Sequence, residues 1–443
     1  MKKIVSLALS AMLATTAVAG LASCGDDDKG KAKLNLEPVA KSELKVGFIL
    51  LHDENSTYDL NFINGVKRAQ ENLGLADSQI IMKKNIPEGK ECYEAAADLV
   101  DQGCDVIFAD SFGHEDFMIQ AAEEFPEVRF CHATGTKAHT TNLPNIHNAF
   151  ASIYEGRFLA GVAAGMKLVE MHSANKLEAS NYTDTAKTTI KMGYVGAYPY
   201  AEVKSGYTSY YLGAKFATEG MSKGQLSVAM DVTFTNSWYD PTAEADGANL
   251  LIDRGAALIS QHADSMGAPS TCETRKVPNV SYNGSTETAC PETFIVSSYI
   301  DWAPYFEYMI DCTINGVKIA ADWCGTLENG AVKLTEFGAK ASPIMAQEKI
   351  EAIKTMLIAG EMQVFDCRNF TVKGAHITTY LADVHNRNFA HDTQAIVKGT
   401  TMEYDPTEEE MVEVDYYYFA ESSLRSAPYF DIDIDGITLL TNS

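Results

Sequence analysis

The chain has 443 residues, of which 46% are hydrophobic and 21% are charged. These proportions exclude a disordered chain, a collagen-like repeat and a small disulfide-stapled domain, and the length predicts two or three domains. The chain carries 35 basic and 60 acidic residues, which gives a formal net charge of −25. Nucleic-acid backbones are bound by clustered Lys and Arg, so we expect no nucleic-acid partner.

The first 24 residues are typical of an export signal. Two lysines precede an apolar run, and the run ends in Leu21-Ala22-Ser23-Cys24, which resembles the bacterial lipobox. In a lipobox the chain is cut before the cysteine, and the cysteine is then acylated. We therefore predict a lipidated Cys24 and a folded part that lies outside the cytoplasm, anchored to the cell membrane. The alternative is an ordinary secretory signal, or a first membrane helix with an incidental cysteine.

Cysteine usage leaves the redox state open. After Cys24 eight cysteines remain, at positions 92, 104, 131, 272, 290, 312, 324 and 367. An even number in an exported chain permits disulfides, and Cys272–Cys290 and Cys312–Cys324 are the nearest pairs in sequence. In an anaerobic source all eight would instead be small buried hydrophobic residues.

From residue 44 onward, short apolar runs alternate with helix-length amphipathic stretches. The first set has predicted strands over 46–51, 79–82, 105–109 and 129–132, with helices over 59–73, 92–101 and 115–124. A Gly/Ala-rich helix over 153–169 separates it from a second set. That set has strands over 191–195, 226–234, 257–260 and 280–282, and helices over 201–218 and 242–253.

Repeated β-α units with continuously apolar strands predict parallel sheets that are covered on both faces. Two successive sets predict an α/β fold with two doubly wound parallel-sheet lobes. The last hundred residues are less regular, with a helix over 346–357 and a strand over 362–366. The predicted divisions are a signal peptide over 1–23, the lipidated cysteine and tether over 24–43, lobe 1 over 44–150 with a returning segment over about 299–324, lobe 2 over 151–298, and a segment over 325–443 that completes and caps the lobes.

Two short motifs suggest chemistry but have simpler explanations. Residues 220–224 (GMSKG) match the G-x-S-x-G pattern of hydrolases, but a helix precedes them where that motif requires a strand, so a helix C-cap explains the glycines better. Residues 431–436 (DIDIDG) open like a calcium loop, but Asn442 stands where the bidentate Glu belongs. Alternating Asp and Ile is also typical of a half-buried strand. We predict no catalytic site, no metal and no cofactor.

Aromatic side chains stand beside single carboxylates or amides after five of the predicted strands, in segments 52–59, 110–116, 235–241, 261–265 and 283–284. Carboxylates accept hydrogen bonds from hydroxyls and ring N–H groups, and aromatic faces stack on flat heterocycles. In parallel sheets these loops meet at one edge, where ligands bind. The alternative is that each Asp merely caps the following helix. Together the loops indicate a cleft for a neutral, hydroxylated, partly planar ligand.

Four segments carry a family resemblance: residues 235–241 (TNSWYDP), 153–161 (IYEGRFLAG), 193–197 (GYVGA) and 124–130 (EFPEVRF). They resemble the basic membrane protein family of lipoproteins, which are substrate-binding components of ABC importers and include purine nucleoside receptors. The resemblance covers roughly residues 44–370. It implies a type I periplasmic-binding-protein fold with two hinged lobes, an ABC permease as partner, a purine nucleoside or base as ligand, and no enzymatic activity.

The resemblance also implies roles for particular residues. In nucleoside-binding members the base lies between two aromatic rings, whose positions fall on Tyr58 and Trp238. The carboxylate that holds the sugar corresponds to Asp116, and an Asp that contacts the base corresponds to Asn283. We predict the ligand-binding residues to be Tyr58, Asp59, Phe112, Asp116, Trp238, Asp264, Asn283, Asp301 and Trp302.

This chain departs from the nucleoside-binding members at three places. Asp59 replaces an Asn, Asn283 replaces the Asp, and a hinge Lys has no counterpart near Asp301. The segment that begins at Trp302 resembles a branch of the family that includes binders of free purine bases. The choice between nucleoside and base therefore stays open. Two other classes also stay open: a surface enzyme acting on nucleosides, and a surface adhesin or sensor lipoprotein with the same fold.

Overall fold

The computed structural model describes residues 37–385, 390–405 and 409–440. The predicted signal peptide and Cys24 lie outside these residues. In the described part the helices are α1 (Thr57–Leu73), α2 (Lys90–Asp101), α3 (Glu115–Glu124), α4 (Ile153–Ser173), α5 (Ala201–Ser222), α6 (Pro241–Asp253), α7 (Gly267–Arg275), α8 (Ala303–Ile314) and α9 (Ala346–Ile358). The strands are β1 (Val46–Ile49), β2 (Ile80–Lys83), β3 (Val106–Ala109), β4 (Arg129–Ala133), β5 (Ile146–Ala151), β6 (Thr189–Gly196), β7 (Ser227–Phe234), β8 (Ile259–Gln261), β9 (Asn279–Tyr282), β10 (Phe294–Ile300), β11 (Asp322–Gly325), β12 (Val332–Leu334), β13 (Leu381–Ala382), β14 (Thr393–Gln394), β15 (Ile396–Asp405), β16 (Glu410–Phe419) and β17 (Ile437–Leu439).

Two large sheets define two lobes. The lobe 1 sheet has the order β11-β5-β4-β3-β1-β2 and is parallel throughout. The lobe 2 sheet has the order β12-β10-β9-β8-β6-β7-β17, and in it only β12 runs antiparallel to its neighbour. The chain passes between the sheets after β5, after β10 and after β11. This arrangement confirms the predicted pair of parallel-sheet α/β lobes.

Both faces of each sheet are buried, which is why the strands read as continuous apolar runs. In β3, Val106 and Phe108 face one core while Ile107 and Ala109 face another that α2 and α3 cover. In lobe 2, Val195 of β6 packs with α6 and α7 on one face, and the opposite face of the same strand joins the large core under α4 and α5. Alternate residues of a strand point to opposite faces, so in a strand covered on both faces no side chain points to solvent and apolar residues occupy consecutive positions.

The C-terminal residues are joined to both lobes. The strand β17 extends the lobe 2 sheet by pairing in parallel with β7, and β15 and β16 form a separate antiparallel hairpin. The predicted strand over 362–366 is wrong: that segment forms no strand, and Asp366 makes only a single bridge to Tyr418. Its carboxylate instead accepts hydrogen bonds from the guanidinium of Arg368, while Phe365 is buried against Phe430. Tertiary packing therefore overrides the local apolar pattern.

The two short motifs have structural roles. Gly220 lies in the last turn of α5, and Lys223 is the left-handed C-cap, so residues 220–224 end a helix. In the segment 431–436 the isoleucines are buried, but the segment pairs with no strand, and the Asp435 carboxylate accepts backbone N–H groups of Lys373 and Gly374. In the residues that the structure describes, no group of three or more His, Cys, Asp or Glu is placed to hold a metal ion.

The eight cysteines after Cys24 are all free thiols in this structure, and all are buried except Cys324, which is half-buried. They therefore pack as small hydrophobic residues. None of the helices in the described ranges is long and apolar enough to span a bilayer.

The helices α4 and α5 cross at glycines. A Cβ on Gly213 of α5 would lie 2.0 Å from the carbonyl oxygen of Phe158 in α4, and a Cβ on Gly161 of α4 would lie 2.0 Å from that of Tyr210 in α5. No real Cβ contact is that short, so the two backbones can approach this closely only where no side chain intervenes.

We expect Gly213→Ala to lower the free energy of unfolding by about 2 kcal/mol or more, because the added methyl group must push the two helices apart. Gly220 lies in the same helix with nothing near its Cβ position, so Gly220→Ala should instead add up to about 1 kcal/mol through helix propensity. Urea denaturation of both variants measures the difference. Equal effects at the two sites would contradict the close crossing.

Candidate functional site

A narrow cavity lies between the lobes, at the carboxyl ends of the central strands of both sheets. Lobe 1 contributes residues that follow β1, β3 and β4, and lobe 2 contributes residues that follow β6, β7 and β8 or end β9. The lining residues are Leu51, His52, Tyr58, Asp59, Ser111, Phe112, Thr134, Glu202, Trp238, His262, Asp264 and Tyr282.

The lobes are in contact across this cavity. The backbone N–H and the hydroxyl of Thr57, at the start of α1, both donate to the carbonyl oxygen of Asp264, each at 3.1 Å. The rings of His52 and Tyr239 lie 5.3 Å apart, centre to centre, across the same gap. Since α1 belongs to lobe 1 and the Asp264 loop to lobe 2, these contacts define a closed cleft.

The local sequence positions Asp59 in the first turn of α1. Ser56 caps the helix, because its hydroxyl oxygen accepts the backbone N–H of Asp59. The Asp59 side chain lines the cavity. Its Oδ1 accepts the backbone N–H of His52 at 2.7 Å. Burial acts to raise the pKa of Asp59, but hydrogen bonds from His52, Ser56 and Asp110 outweigh it and lower the pKa. Asp59 is therefore an ionised acceptor in the wall of the cavity.

Asp110 stands directly behind Asp59 and is fully buried. Its Oδ1 accepts the N–H of Leu51 at 3.1 Å. Burial, and then the neighbouring charge of Asp59, raise the pKa of Asp110 well above its usual range. Within the described residues, Asp59 Oδ2 and Asp110 Oδ2 accept no hydrogen bond from any third residue, and the interaction of the two side chains lowers the pKa of Asp59 while it raises that of Asp110. The carboxylic acid of Asp110 thus donates to Asp59 and holds it in place.

Asp264 faces the cavity from lobe 2. Burial first, and then the charges of Asp59, Glu244 and Glu202, raise its pKa well above the usual range. The side-chain amide of Asn283 donates to Asp264 Oδ1 at 3.3 Å. The raised pKa favours the protonated form of Asp264, which can donate as well as accept, and Asn283 orients it from behind the cavity wall.

His262 and Arg157 form the base of the lobe 2 wall. The Arg157 guanidinium donates to His262 Nδ1 and to the carbonyl oxygen of Gln261, each at 3.1 Å, and stacks 3.4 Å from the ring centre of Tyr282. Because Nδ1 accepts, the imidazole proton lies on Nε2, which donates to Glu202 at 3.3 Å. Burial lowers the pKa of His262, so the ring stays neutral. The buried guanidinium is covered by side chains and does not line the cavity.

Of the nine predicted ligand-binding residues, the structure brings five together in the cavity wall: Tyr58, Asp59, Phe112, Trp238 and Asp264. Asn283 supports Asp264 from behind. Asp116 lines a neighbouring space, where its largely exposed carboxylate pairs with Lys137.

Two of the predicted positions, Asp301 and Trp302, lie away from the cavity in this structure. Trp302 is buried in the lobe 1 core and stacks on Phe62, with ring centres 4.4 Å apart. Asp301 is buried between Arg68 of α1 and Lys333 of β12 and pairs with both. Because those cations belong to different lobes, Asp301 links the two lobes through ion pairs at the hinge and does not line the cavity.

The residues that sequence reasoning missed are mainly His52, Glu202, His262 and Tyr282. His52 and His262 directly follow strands, so the strand-end argument applied to them as well. Glu202 lies in the first turn of α5. The loop between β6 and α5 has no carboxylate directly after the strand, so the strand-end argument did not select it. Arg157 sits in mid-helix, where no sequence pattern distinguishes a buried guanidinium from an exposed one.

Two lobes of this topology that close over a cavity define the periplasmic-binding-protein type I fold. Solved structures with the same fold include an ABC transporter solute-binding protein from Aeropyrum pernix K1, with a TM-score of 0.58, 17% identity, and coverage of 75% of this chain and 94% of that one. Another, from Conexibacter woesei, has a TM-score of 0.54 and 18% identity and covers 72% of this chain and 98% of its own. These likenesses support the fold.

The family follows from sequence comparison. Residues 51–364 match the Bmp family model, described as ABC transporter substrate-binding protein PnrA-like, and the chain belongs to this family. A purine-binding protein of Brucella abortus is 29% identical over 332 residues, which are 74% of this chain and 84% of that protein. A putative ABC transporter glucose-binding protein of Haloferax volcanii is 29% identical over 59% of each chain. Substrate-binding proteins of ABC transporters are extracytoplasmic and deliver a small molecule to a permease.

We expect Asp110→Asn to become more stable relative to wild type as the pH rises. A carboxyl group whose pKa is raised on folding contributes stability that is complete below its unfolded pKa and is lost as the pH rises through its folded pKa. The Asn amide keeps the donor to Asp59 and the acceptor for Leu51 without this loss. We expect the difference in free energy of unfolding, variant minus wild type, to increase by about 1 kcal/mol or more between pH 4 and pH 8. Urea denaturation at the two pH values measures this difference.

The matched control is Asp98→Asn. Hydrogen bonds from Lys83 and then Gln102 lower the pKa of the exposed Asp98, so its contribution to stability is lost as the pH falls. The free energy of unfolding of Asp98→Asn should therefore be lowest relative to wild type at pH 8. A difference of the same sign for both variants would contradict the protonated state of Asp110.

Proposed function

We propose that this protein captures a purine base or purine nucleoside in the cavity between its lobes and delivers it to an ABC permease. The observation that carries the proposal is the pairing, in one cavity wall, of aromatic rings with an ionised and a protonated carboxyl group. Tyr58 of lobe 1 and Trp238 of lobe 2 supply the rings, Asp59 accepts, and Asp264 donates or accepts. A purine offers flat faces for the rings, N–H groups for Asp59 and ring nitrogens for Asp264.

Charge supports a neutral ligand. None of the twelve lining residues is Lys or Arg, whereas Asp59 and Glu202 both face the cavity. A phosphate or carboxylate group would lie beside these acids with no cation to pair with, which costs free energy. A nucleotide or an amino acid is therefore a poorer fit than a base or a nucleoside. The likeness to the Brucella purine-binding protein agrees with this choice.

Binding is proposed to work by lobe closure. The ligand bridges Asp59 and Tyr58 on one lobe to Asp264 and Trp238 on the other, and so adds to the hydrogen bonds between Thr57 and Asp264. A ligand shifts an equilibrium only by its differential affinity for the two states, and these contacts exist together only in the closed state. Closure then presents the surface that the permease reads, with no covalent step.

We expect the melting temperature to rise with purines and not with pyrimidine nucleosides or glucose, because ligand at about 100 times Kd adds roughly 2.7 kcal/mol of stability. Trp238→Ala should bind the same purine at least about tenfold more weakly, since stacking on one base is worth about 1–3 kcal/mol. Isothermal titration calorimetry measures this loss.

The matched control is Trp238→Phe, which keeps a ring and should retain most of the affinity. A melting temperature that responds to glucose and to no purine would overturn the proposed ligand class. Unchanged purine affinity in Trp238→Ala would place the site elsewhere.

We further propose that Cys24 carries the lipid anchor, on the strength of the lipobox alone. The anchor would hold the receptor beside its permease on the outer face of the membrane. Labelled palmitate should be incorporated into the wild-type protein in its host and not into Cys24→Ser. Equal labelling of the two proteins would contradict this assignment.

A further inference from the structure

Two loops of lobe 2 carry ligand-facing side chains, and the loops are bonded to each other. Trp238 lies in the loop between β7 and α6, and Asp264 lies in the loop between β8 and α7. The backbone N–H of Asp264 donates to the carbonyl oxygen of Trp238 at 2.8 Å. The carbonyl oxygen of Asp264 accepts the hydrogen bonds from Thr57 of lobe 1. The geometry of these two loops therefore affects both the cavity wall and the closure of the cleft.

Glu244, in the first turn of α6, is bonded to both loops. Its side chain is fully buried and does not line the ligand cavity. Oε1 accepts the backbone N–H of Asp240 at 3.2 Å, and Oε1 and Oε2 accept the backbone N–H of Ser265 at 3.1 and 3.2 Å. Asp240 is two residues after Trp238, and Ser265 directly follows Asp264. One carboxylate thus holds the backbones of both loops.

The starts of α6 and α7 are packed tightly around Glu244. A Cβ on Gly267, the first residue of α7, would lie 2.3 Å from the carbonyl oxygen of Pro241 and 2.9 Å from the Cβ of Glu244. The Glu244 side chain therefore has little room to adopt another position. A buried N–H group that loses its acceptor costs free energy, so the loops stay where Glu244 can accept their N–H groups.

We infer that Glu244 is a positioning residue for ligand binding, which sets the geometry of Trp238 and Asp264 without touching the ligand. This inference rests on the proposed function, since it requires the ligand to lie between the lobes against these two residues. Loops that already have their binding geometry lose less conformational freedom when the ligand binds, and this raises the affinity. A carboxylate suits the task, because hydrogen bonds to a charged acceptor are stronger than those to a neutral one.

The test is calorimetric titration of variants at position 244 with adenine, adenosine, hypoxanthine and inosine at pH 8. Burial raises the pKa of Glu244 to about 7, so its carboxylate is ionised at this pH. Glu244→Met keeps an unbranched side chain without the two acceptor oxygens, and it should bind purines at least about tenfold more weakly than wild type. Glu244→Gln keeps an oxygen that can replace Oε1, the atom that accepts both N–H groups, and its affinity should stay within about threefold of wild type.

The matched control is Glu219→Met. Glu219 of α5 also accepts a hydrogen bond from a neighbouring segment, from the Ser227 hydroxyl at 2.8 Å, but Ser227 lies at the amino end of β7, opposite the ligand loops. This variant should lose stability and keep wild-type purine affinity. If Glu244→Met does not fold, Glu244→Asp takes its place. Its carboxylate is one methylene group too short to hold both loops, so the same loss of affinity is expected.

Hydrogen exchange measures the positions of the loops without any ligand. The backbone amides of Asp240 and Ser265 should exchange at least about tenfold faster in Glu244→Met than in wild type, because each loses its acceptor. In Glu244→Gln their exchange should stay close to that of wild type. The amides of β1, in the other lobe, should exchange equally in all three proteins.

The two failures are distinguishable. Wild-type purine affinity in Glu244→Met, or an equal loss in Glu244→Met and Glu244→Gln, would overturn the positioning role while the purine site stands. Unchanged exchange at Asp240 and Ser265 in Glu244→Met would also overturn it. Absence of binding to every purine by the wild-type protein would instead overturn the proposed function, and this inference with it.

Discussion

The site depends on how three carboxyl groups share charge inside a closed cleft. Asp59, Asp110 and Asp264 are buried, and three negative charges so close together out of water would cost more than the fold could sustain. Burial and neighbouring charge raise the pKa values of Asp110 and Asp264 and favour their protonated forms, whereas donated hydrogen bonds lower the pKa of Asp59 and favour its ionised form. One result is stability, since repulsion is removed. The other result is that two aspartate side chains give the cavity both a hydrogen-bond acceptor, Asp59, and a hydrogen-bond donor, Asp264.

Burial by the opposite lobe contributes to these protonation states. Burial first, and then the charge of Asp59 on the other lobe, raise the pKa of Asp264. The carbonyl oxygen of Asp264 accepts a hydrogen bond from the backbone N–H of Thr57 on that lobe. Closure therefore buries Asp264 and places it near Asp59, and both effects raise its pKa and favour the protonated form. Any opening that returns Asp264 to water would favour its ionised form and remove the donor.

The hinge and the C-terminal segment act on the same motion. Asp301 pairs with cations on α1 and β12, which lie in different lobes, and the segment around Ser426 and Asp433 is bonded to both lobes a second time. Polar ties of this kind hold a geometry without the large apolar interface that would prevent movement.

Local pattern and charge determined much of this protein. Apolar runs alternating with helical stretches predicted two parallel-sheet lobes, because a strand covered on both faces must be apolar throughout. The strand-end rule placed Asp59, Trp238 and Asp264 at one edge, because the carboxyl ends of parallel strands meet there. Only the tertiary structure shows that Asp301 and Trp302 lie away from the cavity, since pairing with Arg68 and stacking on Phe62 join residues more than 200 positions apart. The raised pKa values of Asp110 and Asp264 and the burial of Arg157 were equally beyond the sequence, because burial and neighbouring charge exist only once distant segments pack together.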